Sequence, residues 1–201
     1  MDKSFVNRKD RIIASAIEII SEAGLSSLTT RNLAMKENMS ESLLYRYFGG
    51  IEEVLVEVIH TFTKFDDIMI ATIGAKDLSH MSKVLEFLKT ISTYYEGYKE
   101  MAAIVLNYEE FLHNVNTREA VAACIEKRTS FVRRELKAAM EEKEIVDTFT
   151  PEELANLFLG SIERDLLNRR IEYDDRPHTQ VTISTMDKLA ELISYQTDEE
   201  G

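Results

Sequence analysis

Apolar residues recur at helical spacing from one end of this chain to the other. Ile13, Ala16, Ile17 and Ile20 form a first stripe at i, i+3, i+4, i+7, with Asn7 or Asp10 able to start the helix and Gly24 placed to close it. Two short helices follow. Thr29 or Thr30 can cap one, which turns Leu33 and Ala34 inward. Ser40 can cap the next, whose Leu44 and Phe48 stand four apart on one buried face, and Glu37-Asn38-Met39 makes the turn between them. Gly49-Gly50 then breaks the chain. From about Ile51 a long helix carries Val54, Leu55, Val58, Ile59, Phe62, Phe65 and Met69, more apolar surface than a three-helix head can cover, so it bridges two domains.

The remainder continues in the same period. Residues 79–95 (Val84, Leu85, Leu88, Ile91) and 99–113 predict two helices, and 117–145 a long one with Val121, Cys124, Ile125, Phe131, Val132, Leu136 and Met140 inward. Thr150-Pro151-Glu152-Glu153 is a helix start with a threonine cap, proline at the first position and glutamate in the capping-box position. Leu154, Leu157, Phe158, Ile162 and Leu166 follow, with Gly160 allowing a neighbour close. The last helix, about 179–195, shows Ile183, Met186, Leu189, Ala190 and Ile193.

Composition agrees with an all-α fold: 201 residues, 44% hydrophobic, with only seven Gly and two Pro. The predicted organisation is a three-helix helix-turn-helix head over 1–50 and a larger helical domain over 51–201. Cys124 is alone, which excludes an intrachain disulfide and fits a reducing cytosol. The N-terminus lacks a signal peptide's apolar core, and the longest apolar run, Met101 to Leu106, cannot span a bilayer. The expectation is a cytoplasmic protein that engages no membrane.

The net charge of −12 argues at first against nucleic acid, yet its distribution matters more. Residues 1–50 hold seven Lys/Arg and six Asp/Glu, leaving +1, whereas 51–201 carry −13. Lys3, Arg8, Lys9 and Arg11 crowd the first eleven residues, either as an arm reaching for phosphates or as a frayed, solvated terminus. With Leu44 and Phe48 buried, the second short helix shows Glu41, Ser42, Leu43, Tyr45, Arg46 and Tyr47. Small polar groups, an arginine and two tyrosines suit the recognition helix of a helix-turn-helix in a DNA major groove.

Arg11-Ile-Ile-Ala-Ser-Ala with Gly24, Thr29-Thr-Arg-Asn-Leu-Ala, Ser40 followed by Leu43-Leu-Tyr-Arg-Tyr-Phe, and Glu52-Glu-Val-Leu together resemble the DNA-binding domain of TetR-family transcriptional regulators over roughly residues 8–58. The resemblance implies a repressor that binds a palindromic double-stranded operator as a homodimer and is released by a small-molecule effector. It implies backbone contacts from Thr29, Thr30, Tyr45 and Tyr47, bases nearer Arg31, Ser42, Leu43 and Arg46, and Ser40 within the same surface. The chain departs from the family pattern at Glu37-Asn38-Met39, where Ala-Gly-Val is usual, and at Glu41, Ser42 and Gly50-Ile51, where Lys, Gly and Ser-Lys are common. Asn38 tolerates positive φ and can still make the turn. The lost cations point to weaker non-specific DNA affinity.

The last two helices, through Leu154, Phe158, Ile162, Ile183, Met186, Ala190 and Ile193, are expected to pair with their copies in a two-fold four-helix bundle. The alternative is that they are ordinary core helices of a monomer. His60, Tyr94, Tyr98, Asn107, Tyr108, Phe111 and Arg128 mix aromatic and polar groups as a ligand pocket does, although such a stripe also describes plain core. The histidines, His60, His80, His113 and His178, lack zinc-site spacing, and no phosphate-cradling glycine loop or nucleophile motif occurs, so neither metal, cofactor nor catalysis is expected. The alternative function is a ligand-binding or protein-interaction module whose head binds DNA weakly, as Glu37, Glu41 and Ile51 hint.

Overall fold

The computed structural model describes residues 7–172 and 178–195, which form ten α-helices and no named strand. Lys3 and the acidic Asp198-Glu199-Glu200 lie outside the described residues, as do the side chains of Phe62, Met101 and His178. The helices are α1 (Arg8–Ala23), α2 (Thr30–Lys36), α3 (Glu41–Leu44), α4 (Ile51–Gly74), α5 (His80–Gly97), α6 (Lys99–Val105), α7 (Tyr108–His113), α8 (Arg118–Glu141), α9 (Pro151–Glu172) and α10 (His178–Ile193). They divide into two compact units, one comprising the chain up to Phe65 together with Tyr98–Cys124, the other Asp66–Gly97 together with the chain from Ile125.

In the first unit α1 starts where Asn7 accepts a hydrogen bond from the Lys9 amide at 3.2 Å, and ends at Gly24, whose φ of 84° favours glycine. Its buried stripe is Ile12, Ala16, Ile17, Ile19 and Ile20; Ile12, not Ile13, takes the innermost place. α1 packs against α2 and α6. The helix expected over 99–113 is two helices, broken at Leu106-Asn107, where the Asn107 amide closes a tight turn on Ile104 at 3.0 Å. The Thr117 hydroxyl, buried, donates to the Phe111 carbonyl at 2.6 Å, which also accepts the Asn114 amide at 3.3 Å, and so ties down the end of α7.

In the second unit α5, α9 and α10 pack on one another around Phe87, Leu88, Ile91, Leu154, Phe158, Ile162 and Met186. The capping box at the start of α9 forms as its residues predict: the Glu153 amide donates to Thr150 Oγ1 at 3.2 Å and the Thr150 amide to Glu153 Oε2 at 2.8 Å. α5 is capped from a distance, since both Glu144 carboxylate oxygens accept amides of its first turn, His80 at 2.9 Å and Met81 at 2.8 Å. A buried ion pair crosses the interior. Asp66, 0% exposed, accepts Arg128 Nε at 2.7 Å and Nη2 at 3.0 Å, and Arg128 Nη1 donates to Tyr95 OH at 2.8 Å.

Removing one partner of such a pair leaves an uncompensated charge in a dry site. Asp66→Ala is therefore expected to destabilise the protein by about 3–5 kcal/mol, and Asp66→Ala with Arg128→Met to recover much of that, both read from urea unfolding. His80 supplies a pH test. Its Nδ1 lies 2.8 Å from Glu135 and its Nε2 3.3 Å from Glu142. The hydrogen bond to Glu135 is the chief cause that holds the His80 pKa above its usual 6.5. Burial pushes the Glu135 carboxyl up, but hydrogen bonds from His80 and Arg134 outweigh it and hold the group below the ordinary carboxylate value. A raised histidine pKa stabilises the fold fully below its unfolded value and loses that contribution as pH rises through the folded one. The gap in melting temperature between wild type and His80→Gln is expected to narrow as pH rises from about 6 towards 8.

Candidate nucleic-acid interface

Thr29 caps α2 by accepting the Asn32 amide at 3.1 Å, and Ser40 caps α3 by accepting the Leu43 amide at 3.2 Å. Between them Asn38 adopts φ of 51°, the left-handed conformation predicted for it, and the Met39 amide closes back on the Ala34 carbonyl at 2.9 Å. α3 itself is shorter than the sequence periodicity implies. Only Glu41–Leu44 is α-helical; Arg46 and Tyr47 then tighten onto the carbonyls of Leu43 and Leu44 at 3.1 and 2.9 Å. Leu44 and Phe48 are buried as predicted.

The turn is pinned by a residue that the sequence presented as a surface charge. Glu37 is 8% exposed, with Oε1 accepting the Ser15 hydroxyl at 2.7 Å and Oε2 accepting Arg11 Nη2 at 3.1 Å. It therefore faces α1 rather than DNA, and is no source of repulsion toward phosphate. Lys36 is tied to the same helix through Glu18 at 3.0 Å, the interaction that chiefly raises its pKa. The basic N-terminal cluster changes character as well. Arg8, Lys9 and Arg11 belong to α1; Arg11 holds Glu37, and the Lys9 ammonium lies 5.1 Å over the Phe48 ring.

Thr29, Arg31, Ser40, Ser42, Tyr45 and Arg46 are exposed, and Thr30, Leu43 and Tyr47 half-exposed. Thr30 Oγ1 donates to Glu41 Oε2 at 2.8 Å, which joins the start of α2 to the start of α3 and commits that hydroxyl's proton. This link was not legible in the sequence, where Glu41 stood out only as an unusual charge. The Ser40 and Ser42 hydroxyls share a hydrogen bond at 2.9 Å. Among the described residues Arg31 and Arg46 pair with no carboxylate, so both guanidinium groups are presented to solvent. At the start of α4, Glu53 accepts the Gly49 amide at 2.6 Å, and Glu52 accepts the Asn114 and Asn116 side-chain amides at 2.6 and 3.3 Å.

The residues expected to line a pocket divide between the two units. In the first unit His60 is exposed beside Glu57, and Tyr98 is 57% exposed. The Asn107 amide bonds Ala103 at 2.6 Å, Tyr108 is half-buried, and Phe111 is fully buried. In the second unit Tyr94 lies 5.7 Å from the Tyr95 ring, and the Arg128 guanidinium is held by Asp66 and Tyr95. Of the residues expected between subunits, Leu154, Phe158, Ile162, Met186, Ala190 and Ile193 are buried within the chain, and Ile183 is half-buried. The apolar side chains that α9 and α10 leave exposed are Leu157, Leu167, Ile171, Val181 and Leu192. Among the described residues no His, Cys, Asp and Glu group is placed to hold a metal, and no helix is long and apolar enough to cross a membrane.

A capped two-helix motif joined by a left-handed asparagine, with two arginines unpaired with carboxylates on its outer face, has the geometry of a helix-turn-helix. Residues 12–58 match the family model described as bacterial regulatory proteins, tetR family. Solved structures share the fold along nearly the whole chain. The ketosteroid transcriptional regulator KstR2 of Mycobacterium tuberculosis has TM-score 0.80, 14% identity, and coverage of 94% of this chain and 96% of that one. FadR from Bacillus subtilis, solved with stearoyl-CoA, has TM-score 0.76, 18% identity, and coverage of 91% and 98%. A TetR transcriptional regulator from Legionella pneumophila has TM-score 0.76, 20% identity, and coverage of 92% and 98%. No curated protein matches by sequence. Residues 12–58 are thus similar to the bacterial regulatory proteins of the tetR family, and the fold of the chain is shared with solved transcriptional regulators along nearly its whole length.

Glu37→Ala strips Ser15 and Arg11 of their acceptor next to a buried site. It is expected to cost about 1–3 kcal/mol in thermal or urea unfolding, whereas Asn38→Gly, which keeps the left-handed turn free of strain, is expected to be nearly neutral.

Proposed function

We propose that this chain is a one-component cytoplasmic repressor that binds a palindromic operator as a homodimer through Thr29–Phe48 and leaves it when a small molecule occupies the C-terminal domain. The observation that carries the proposal is the pair Arg31 and Arg46. In a chain of net charge −12, these two cations stand exposed and unpaired on the outer face of the helix-turn-helix. An arginine there reaches guanine O6 and N7 in a bidentate contact, while Thr29, Tyr45 and Tyr47 supply hydroxyls of a kind that bond phosphates.

The dimer is supported by Leu157, Leu167, Ile171, Val181 and Leu192, an exposed apolar set on α9 and α10 that a second copy can cover. Two heads can then address half-sites one helical turn apart, about 34–36 Å. The effector is supported by the FadR relative solved with stearoyl-CoA, and by the Ser92 hydroxyl, which is buried without a hydrogen-bond partner on the face of α5 that carries Tyr95. An effector that binds more tightly to a conformation with mis-spaced heads lowers the operator-competent population by its differential affinity. The second reading, a module with a weak DNA head, now draws on exposed Glu41 and on Ile51, since Glu37 is buried.

The decisive experiment is a gel shift with DNA from upstream of the chain's own gene, at low and physiological salt. Wild type is expected to bind with affinity falling steeply as salt rises, and Arg46→Ala with Tyr47→Phe to lose roughly ten- to a hundredfold or more. Absence of binding even at low salt would return the chain to the second reading. Leu192→Glu is expected to shift the sedimenting species from dimer towards monomer.

A further inference from the structure

Glu41 occupies the first position of α3 and is exposed, the place from which a recognition helix meets base edges. Its carboxylate is not balanced by any cation among the described residues. It is held instead by Thr30, whose hydroxyl donates to Oε2 at 2.8 Å and leaves Oε1 open. A carboxylate near the phosphate backbone is repelled, so on a DNA-facing surface its one favourable destination is a hydrogen-bond donor on a base.

The major groove offers two kinds of donor, cytosine N4 and adenine N6. Adenine sets its N7 acceptor beside N6, where it opposes a second carboxylate oxygen. Guanine offers two acceptors, and thymine an acceptor and a methyl group. Cytosine alone presents a donor with no acceptor adjoining it on the same base. We propose that Glu41 is a specificity-determining residue that selects cytosine at one position of each operator half-site, with Thr30 as the positioning residue that fixes its carboxylate. This rests on the operator binding proposed above. It turns the unusual acidic residue from a defect of the head into a reader, and gives Thr30 a role other than the phosphate contact its position suggested.

The test is selection from a randomised duplex library with purified full-length protein as wild type, Glu41→Gln, Glu41→Ala and Thr30→Val, each checked for an unchanged melting profile. Wild type is expected to enrich a two-fold motif with cytosine at one position per half-site. Glu41→Gln is expected to replace that cytosine by adenine, because a glutamine amide pairs N6 and N7 together, and Glu41→Ala to accept any base there. Thr30→Val is expected to keep cytosine with weaker discrimination. In gel-shift titrations, changing that one base pair should weaken wild type roughly five- to a hundredfold and leave Glu41→Ala indifferent. A wild-type motif reproduced unchanged by Glu41→Gln and Glu41→Ala would overturn the inference while the operator reading stands. A wild type that enriches no motif, with no salt-dependent binding to random duplex, would overturn both.

Discussion

Glu37 and Asp66 are carboxylates taken out of water, one in each compact unit, and each survives burial only because specific donors meet it. A buried ionised carboxylate without partners costs several kcal/mol, so the chain around it must hold those partners in register. Around Glu37 this requirement joins the helix-turn-helix turn to Ser15 and Arg11 of α1. Around Asp66 it joins α4 to α8 and, through Arg128, to Tyr95 of α5. An apolar contact tolerates sliding; a bidentate guanidinium–carboxylate pair does not. The orientation of the helix-turn-helix surface and the interior of the second unit thus both depend on pairs with little freedom to shift.

The same accounting of charges separates the head's outer surface from its inner one. Cations near the N-terminus are consumed internally, Arg11 by Glu37, Lys36 by Glu18, and Lys9 by the face of Phe48. Among the described residues Arg8, Arg31 and Arg46 pair with no carboxylate, and of these Arg31 and Arg46 stand exposed on the helix-turn-helix. Net charge is a poor guide to nucleic-acid binding for this reason: the acidic excess resides in residues 51–201, and at physiological salt it is screened beyond roughly 8 Å.

How much of the molecule was legible varies by element. Caps were readable because they are local: Thr29, Ser40 and the Thr150–Glu153 box satisfy amides three residues away, and the side chain that does so is chosen by spacing alone. Asn38 was readable because few residues other than glycine accept a positive φ. The apolar stripes of α9 and α10 were also readable, but not their occupants. Periodicity shows that Leu154, Phe158 and Met186 are covered, and is silent on whether α5 or a second chain covers them; α5 and its neighbours do.

By itself, then, the sequence determined an all-helical chain, a helix-turn-helix near its start, and a resemblance to the TetR family, since helix period, caps and turn residues act over four or five positions. Only the tertiary structure decided that Glu37 turns inward, that the Thr30 hydroxyl donates its hydrogen bond to Glu41, that Arg128 is spoken for by Asp66, and that Leu157 and Leu192 rather than Phe158 and Ile193 remain exposed. Each of these depends on which distant side chain stands opposite, across separations of 11 to 62 residues in the hydrogen bonds concerned. Local spacing carries no information about such partners.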